Sequence, residues 1–155
     1  MKRIILLASL FLCIASAHGM QKPGYTLNDP YFDSRKKEYV IEAVDAKQEK
    51  VGFVAYYPTR GTTWQMREIE VDHAHRRNRI ALALLDQCIK KVKEANGSEL
   101  IWQIWPKDIG MTENRLIAIY YEMLEKINPG YAAKTALEYR GDENLQSPWL
   151  ILNLE

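Results

Sequence analysis

Residues 76 to 79, Arg76-Arg77-Asn78-Arg79, place three guanidinium groups directly before an apolar helical repeat that begins at Ile80. Guanidinium groups present paired donors that match phosphate oxygens. A helix start adds unpaired backbone N–H groups and the positive end of the dipole, so positive side chains there are unfavourable unless an anion offsets them. The stretch reads as an anion site, with phosphate or pyrophosphate as the fitting ligand. The plain alternative is a solvated basic loop balanced by Asp72 and Asp86. Upstream, Asp72, His73 and His75 have a spacing that suits two metal ligands. No third ligand is visible and three cations adjoin them, so no metal is expected.

The elements that must hold this loop are legible from hydrophobic period. Tyr39 to Val44 and Val51 to Tyr57 are β-branched and aromatic runs around Asp45-Ala46-Lys47-Gln48-Glu49, a hairpin pattern. Pro58 and Gly61 mark the next turn. Trp64 to Val71 alternates, with Met66, Glu68 and Glu70 expected on one side and Arg67, Ile69 and Val71 on the other. Ile80, Leu84, Leu85, Cys88, Ile89 and Val92 then form one face of a helix that Asn96-Gly97 stops. Leu100 to Trp105 reads as a strand covered on both faces, so Trp102 and Trp105 are expected in the core. A second helix has Thr112 as its N-cap and Leu116, Ile117, Tyr120, Leu124 and Ile127 inward. Asn128-Pro129-Gly130 ends it, and strands near Ala132 to Tyr139 and Trp149 to Leu154 follow. The predicted order is βββαβαββ, a mixed α/β domain with one central sheet, entered through an irregular segment from His18 to Lys37.

The chain has 155 residues, 47% hydrophobic and 26% charged, enough for one domain with its own core. Residues 1–17 read as an export leader: Lys2-Arg3, an apolar run from Ile4, then the small-x-small site Ala15-Ser16-Ala17. The run is shorter than the roughly 20 residues a membrane-spanning helix needs. Residues 18–155 form the expected domain, which would be periplasmic or secreted. Removing Lys2 and Arg3 takes the formal charge from +1 to about −1. That balance excludes bulk nucleic-acid binding and stable membrane insertion of the mature chain. Cys13 leaves with the leader, so Cys88 has no partner within the domain and reads as a small buried hydrophobe.

The run from Val71 to Leu85 resembles the acetyl-CoA motif of the GNAT N-acetyltransferase superfamily: a valine, a short loop, Arg/Gln-x-x-Gly-x-Gly/Ala, then a helix with paired leucines. Val51-Gly52-Phe53 resembles the family's preceding strand, and Asn114 with Tyr121-Glu122 its second-helix pattern. The similarity covers about residues 38 to 154. It implies a GNAT-like mixed sheet with a shortened N-terminal helical region. It also implies that Val71, Arg76, Arg77, Asn78, Arg79, Ile80, Ala81 and Asn114 contact acetyl-CoA as co-substrate. Tyr121 matches the family's general-acid position. Acyl transfer to an amine needs a proton acceptor, and Glu68 and Glu70 lie beside the expected thioester; Glu70, nearer Val71, is taken as the base. Arg79 stands where the family has its first glycine, while Ala81 is an accepted small residue. The expectation is an exported N-acyltransferase that uses acyl-CoA and an amine acceptor, a small molecule or a protein. The alternative is a catalytically inactive, secreted binding module of the same fold.

Overall fold

The computed structural model describes residues 24–141 and 146–155. The expected export leader lies outside them. The strands are β1 (Tyr25–Leu27), β2 (Tyr31–Asp33), β3 (Glu38–Asp45), β4 (Lys50–Pro58), β5 (Thr63–Val71), β6 (Glu99–Gln103), β7 (Thr135–Arg140) and β8 (Ser147–Asn153), with helices α1 (Ile80–Glu94) and α2 (Glu113–Ile127). All strands join one mixed sheet in the order β1-β3-β4-β5-β6-β8-β7, with β2 also paired to β3. The three strands expected before the first helix are β3, β4 and β5. The entry segment, expected to be irregular, contributes β1 and β2, which are antiparallel to β3 and only three residues long.

Helix α1 forms because its apolar residues recur at helical spacing and its ends are defined. Ile80, Leu84, Leu85, Cys88, Ile89 and Val92 are all buried, each large side chain contributing about 1.5–3 kcal/mol of burial. At its C-terminus Asn96 turns left-handed (φ 57°), and the amides of Asn96 and Gly97 close back onto Lys93 and Val92 carbonyls, a Schellman ending. Gly97 is obligatory there, since a Cβ would lie 2.4 Å from Val92 Cγ1 and 2.7 Å from Trp64 Cδ1. Gly52 does the same at the other end of the helix. A Cβ on it would meet the Glu70 carbonyl at 2.8 Å and Ile80 at 3.3 Å, so glycine lets the first turn of α1 settle onto the sheet. Leu84→Ala, at a fully buried position, should cost about 2–5 kcal/mol.

Two irregularities of the sheet create the site. β5 and β6 run parallel but pair only over Thr63–Gln65 with Glu99–Ile101. Beyond that the strands part, while β8 pairs with the other edge of β6 along all of Glu99–Gln103. The second irregularity is a register shift between β4 and β5, where Ala55 opposes Glu68 but Tyr56 opposes Met66, leaving Arg67 as the extra residue. The bulge breaks the simple alternation expected for Trp64 to Val71. Met66 joins the helix-side core with Ile69 and Val71 packed beside it, while Glu68 and Glu70 lie on the other side.

Candidate functional site

The parting of β5 and β6 opens a cleft of about 1040 Å³, walled by Met66–Val71, by Trp102–Asp108 beyond the last strand pair, and by facing residues of α1 and α2. The loop from β5 to α1 borders it. Asp72 is extended, His73–His75 make one 3-10 turn, and Arg77 and Arg79 both take left-handed conformations (φ 66° and 60°). Arg79 is the N-cap of α1, with no side-chain capping bond and no acid in the first turn. The family's glycine position thus keeps the backbone form that glycine would supply, at a cost of roughly 1–2 kcal/mol for a residue with a Cβ.

Of the sequence-predicted binding residues, Val71, Arg76, Arg77, Arg79, Ile80 and Ala81 line the cleft; Asn78 and Asn114 are exposed and do not. Arg76 differs from the expectation of a free phosphate ligand. Its Nε donates to the Val71 carbonyl at 3.3 Å, and its two terminal nitrogens donate to Asp108 at 2.9 and 3.2 Å. It straps the end of β5 to the loop after β6, because that loop brings an opposite charge within reach. Arg77 and Arg79 have no ion-pair partner among the described residues.

Across the cleft the charges form a chain. Buried Glu38 (2% exposed) accepts from Arg67 Nε at 2.6 Å and Nη2 at 2.8 Å. The remaining Arg67 nitrogen pairs with Glu68 at 2.7 Å, and Lys107 donates to the other Glu68 oxygen at 2.9 Å while standing 3.7 Å from Glu70. Burial pushes the Glu68 carboxyl up, but the Lys107 hydrogen bond and the Arg67 charge outweigh it, and Glu68 is held below the ordinary carboxylate range. Both its oxygens are engaged, so it is a poor proton acceptor. Glu70 is half exposed and, among the described residues, is paired only with the more distant Lys107 ammonium.

The two neighbouring tyrosines of α2 reach different surroundings. Tyr121 is absent from the cleft wall; its hydroxyl donates to the Thr135 carbonyl at 3.2 Å, tying α2 to β7. Tyr120, expected only as core, is indeed buried but lines the cleft. Ile117, Tyr120 and Leu124 share the buried stripe of α2, and Tyr121 falls one helical step to its side. Burial raises the Tyr120 hydroxyl well above the ordinary tyrosine value, so it stays protonated as a donor. Its ring packs against Trp102, 5.4 Å between centroids. Trp102 is buried as expected yet also forms cleft wall, whereas Trp105 lies past the end of β6 and is 67% exposed. Lys107, Asp108 and Met123 are further wall residues that sequence period did not single out. A charged pair in an irregular loop has no periodic signal to reveal it.

Residues 7–123 match the model of the Acetyltransferase (GNAT) family, so the chain belongs to that family. The match starts within the segment expected as an export leader. An acetyltransferase of the GNAT family from Staphylococcus aureus Mu50 shares the fold at 20% identity, over 76% of this chain and 68% of that one, with a TM-score of 0.54. A Bacillus subtilis acetyltransferase in complex with CoA is similar at 14% identity, over 77% and 79% of the two chains, TM-score 0.54. An aminoglycoside 6'-N-acetyltransferase complexed with coenzyme A follows at 19% identity, over 76% and 73%, TM-score 0.52. No curated protein matches the chain. The fold is that of enzymes that carry out acyl transfer.

Proposed function

We propose that the protein transfers an acetyl or related acyl group from acyl-CoA to an amine. One observation carries the reading: an uncapped helix start flanked by two unpartnered arginines opens into a cleft where a strand lacks its hydrogen-bonding neighbour. The amides of Ile80, Ala81 and Leu82, with Arg77 and Arg79, supply donors for a pyrophosphate. The free side of β5 from Met66 to Val71 offers backbone groups to the amides of a pantetheine arm. Glu70 accepts the proton of the attacking amine, directly or through one water, and Tyr120 rather than Tyr121 donates to the departing thiolate.

Calorimetry of the mature chain with acetyl-CoA tests the binding half, and thiol release against an amine panel tests the chemistry. Tyr120→Phe should lower turnover about 10²-fold in a folded protein, with Tyr121→Phe nearer to wild type. The reverse order would return the acid role to Tyr121. Glu70→Gln should alter the pH–rate profile; an unchanged rate and profile would remove it as the base. CoA binding without turnover on any amine would favour the non-catalytic binding module, for which Arg79 in the glycine position is the supporting observation.

We further propose export, with a mature N-terminus near His18, from the charged, apolar and small-residue order of residues 1–17. Intact mass of protein recovered outside the cytosol checks this, and a chain retaining Met1 would exclude cleavage. No helix among the described residues is long and apolar enough to cross a membrane.

A further inference from the structure

A primary amine of the chain itself stands beside the proposed base. Lys107 Nζ lies 3.7 Å from Glu70 Oε2 and donates to Glu68 Oε2 at 2.9 Å. The residue belongs to the loop after β6, it lines the cleft, and its side chain is 59% exposed. Two contacts hold it there. The neighbouring Asp108 accepts from both terminal nitrogens of Arg76, which ties the loop to the end of β5, and Glu68 fixes the ammonium itself. Among the described residues the cleft wall has one other lysine, Lys126, which pairs with Glu122 on α2. An amine that gives its proton to Glu70 must come within about 3 Å of that carboxylate, or one water away. Lys107 is a small side-chain rotation short of that place.

We propose that Lys107 is a self-acylation site, its amine taking the acyl group of bound acyl-CoA when no outside amine is present; the assignment rests on the acyl-CoA reading above. A nucleophile that the fold holds beside its base reacts as if it were highly concentrated. The step balances with the groups already named. The neutral Lys107 nitrogen bonds to the carbonyl carbon, and the carbon–sulfur bond breaks with its electron pair leaving on sulfur. Glu70 takes the nitrogen's proton and Tyr120 supplies one to the thiolate, the two exchanging protons with solvent afterwards. The Glu68 hydrogen bond, helped by the Glu68 and Glu70 charges, holds the Lys107 ammonium above the ordinary lysine value, so the step speeds up as pH rises. The product is an amide without the lysine charge. It fills the side of Glu70 that an outside amine would approach, so the acylated protein should turn over such amines more slowly.

The test incubates the protein with deuterium-labelled acetyl-CoA and no amine, then locates the label by peptide mass spectrometry. Lys90 and Lys93, exposed on α1 and outside the cleft wall, record uncatalysed acetylation. Lys107 should be labelled about 10²-fold faster than either, at a rate per molecule independent of protein concentration. Glu70→Gln should bring it down to about their level. Lys107 already acylated as purified, but free in Glu70→Gln, would be the same result; acylated in both, it would overturn the proposal. Three further outcomes would overturn self-acylation alone: acetyl-CoA bound by calorimetry with Lys107 labelled no faster than Lys90, a rate that grows with protein concentration, or equal rates in Glu70→Gln. Absence of acetyl-CoA binding to the wild type would overturn the acyl-CoA reading, and this assignment with it.

Discussion

Helices α1 and α2 are the same length, 15 residues each, and begin in opposite ways. At α2 the Thr112 side chain accepts from the Arg115 amide, and Glu113 sits in the first turn against the positive end of the dipole. That helix start is satisfied by its own residues. At α1 the cap is a left-handed arginine with no side-chain bond, the first turn holds no acid, and Arg76 and Arg77 precede it. Each exposed cation there opposes the dipole by about 0.3–1 kcal/mol. One end is built closed and the other open, which fits the proposed anion at the open one, and of the two only α1 starts at the parting of the strands.

The strongest way to break this contrast is charge reversal. Arg77→Glu with Arg79→Glu should weaken CoA binding about 10²-fold or more, the loss of two charge-assisted contacts. Arg115→Glu on α2 should leave it unchanged. Equal effects in calorimetry would show that general charge, and not the α1 start, governs binding. A smaller effect separates folding from binding. Thr112→Ala should cost about 1 kcal/mol of stability by thermal or urea unfolding with CoA affinity retained. Arg79→Gly sharpens the contrast further, because the backbone already holds the left-handed form. The ligand-free protein should gain up to about 1 kcal/mol, while affinity should fall as a phosphate contact is lost. Unchanged or tighter binding would mean that the backbone alone makes the cradle.

Both helices were legible because period and punctuation agree in them: the inner stripes of Ile80 to Val92 and Leu116 to Ile127, the Thr112 cap, the Asn96-Gly97 stop. The three strands from Tyr39 to Val71 were equally plain. β1 and β2 were not, since three residues are too few to show a period and the second carries exposed Tyr31 and Phe32. At the site, the loop composition revealed the basic cluster but not that Arg76 is engaged, because Asp108 approaches from 32 residues away. That Tyr120 and not Tyr121 lines the cleft turns on one helical step of about 100°, finer than pattern resemblance resolves. The bulge at Arg67 leaves no mark in sequence, yet it decides that Met66 faces the core and Glu68 the other side.

The short β5–β6 pairing also bears on how the molecule keeps to itself. A strand with a row of unsatisfied backbone groups is a template for another chain, and proteins with such rows on an outer margin risk edge-to-edge aggregation. Here the row lies along β5, in the middle of the sheet, facing Trp102 and the loop after it and flanked by both helices. A foreign strand would have to enter a walled slot, so the same backbone that stays open to a thin, flexible molecule is withheld from a second polypeptide.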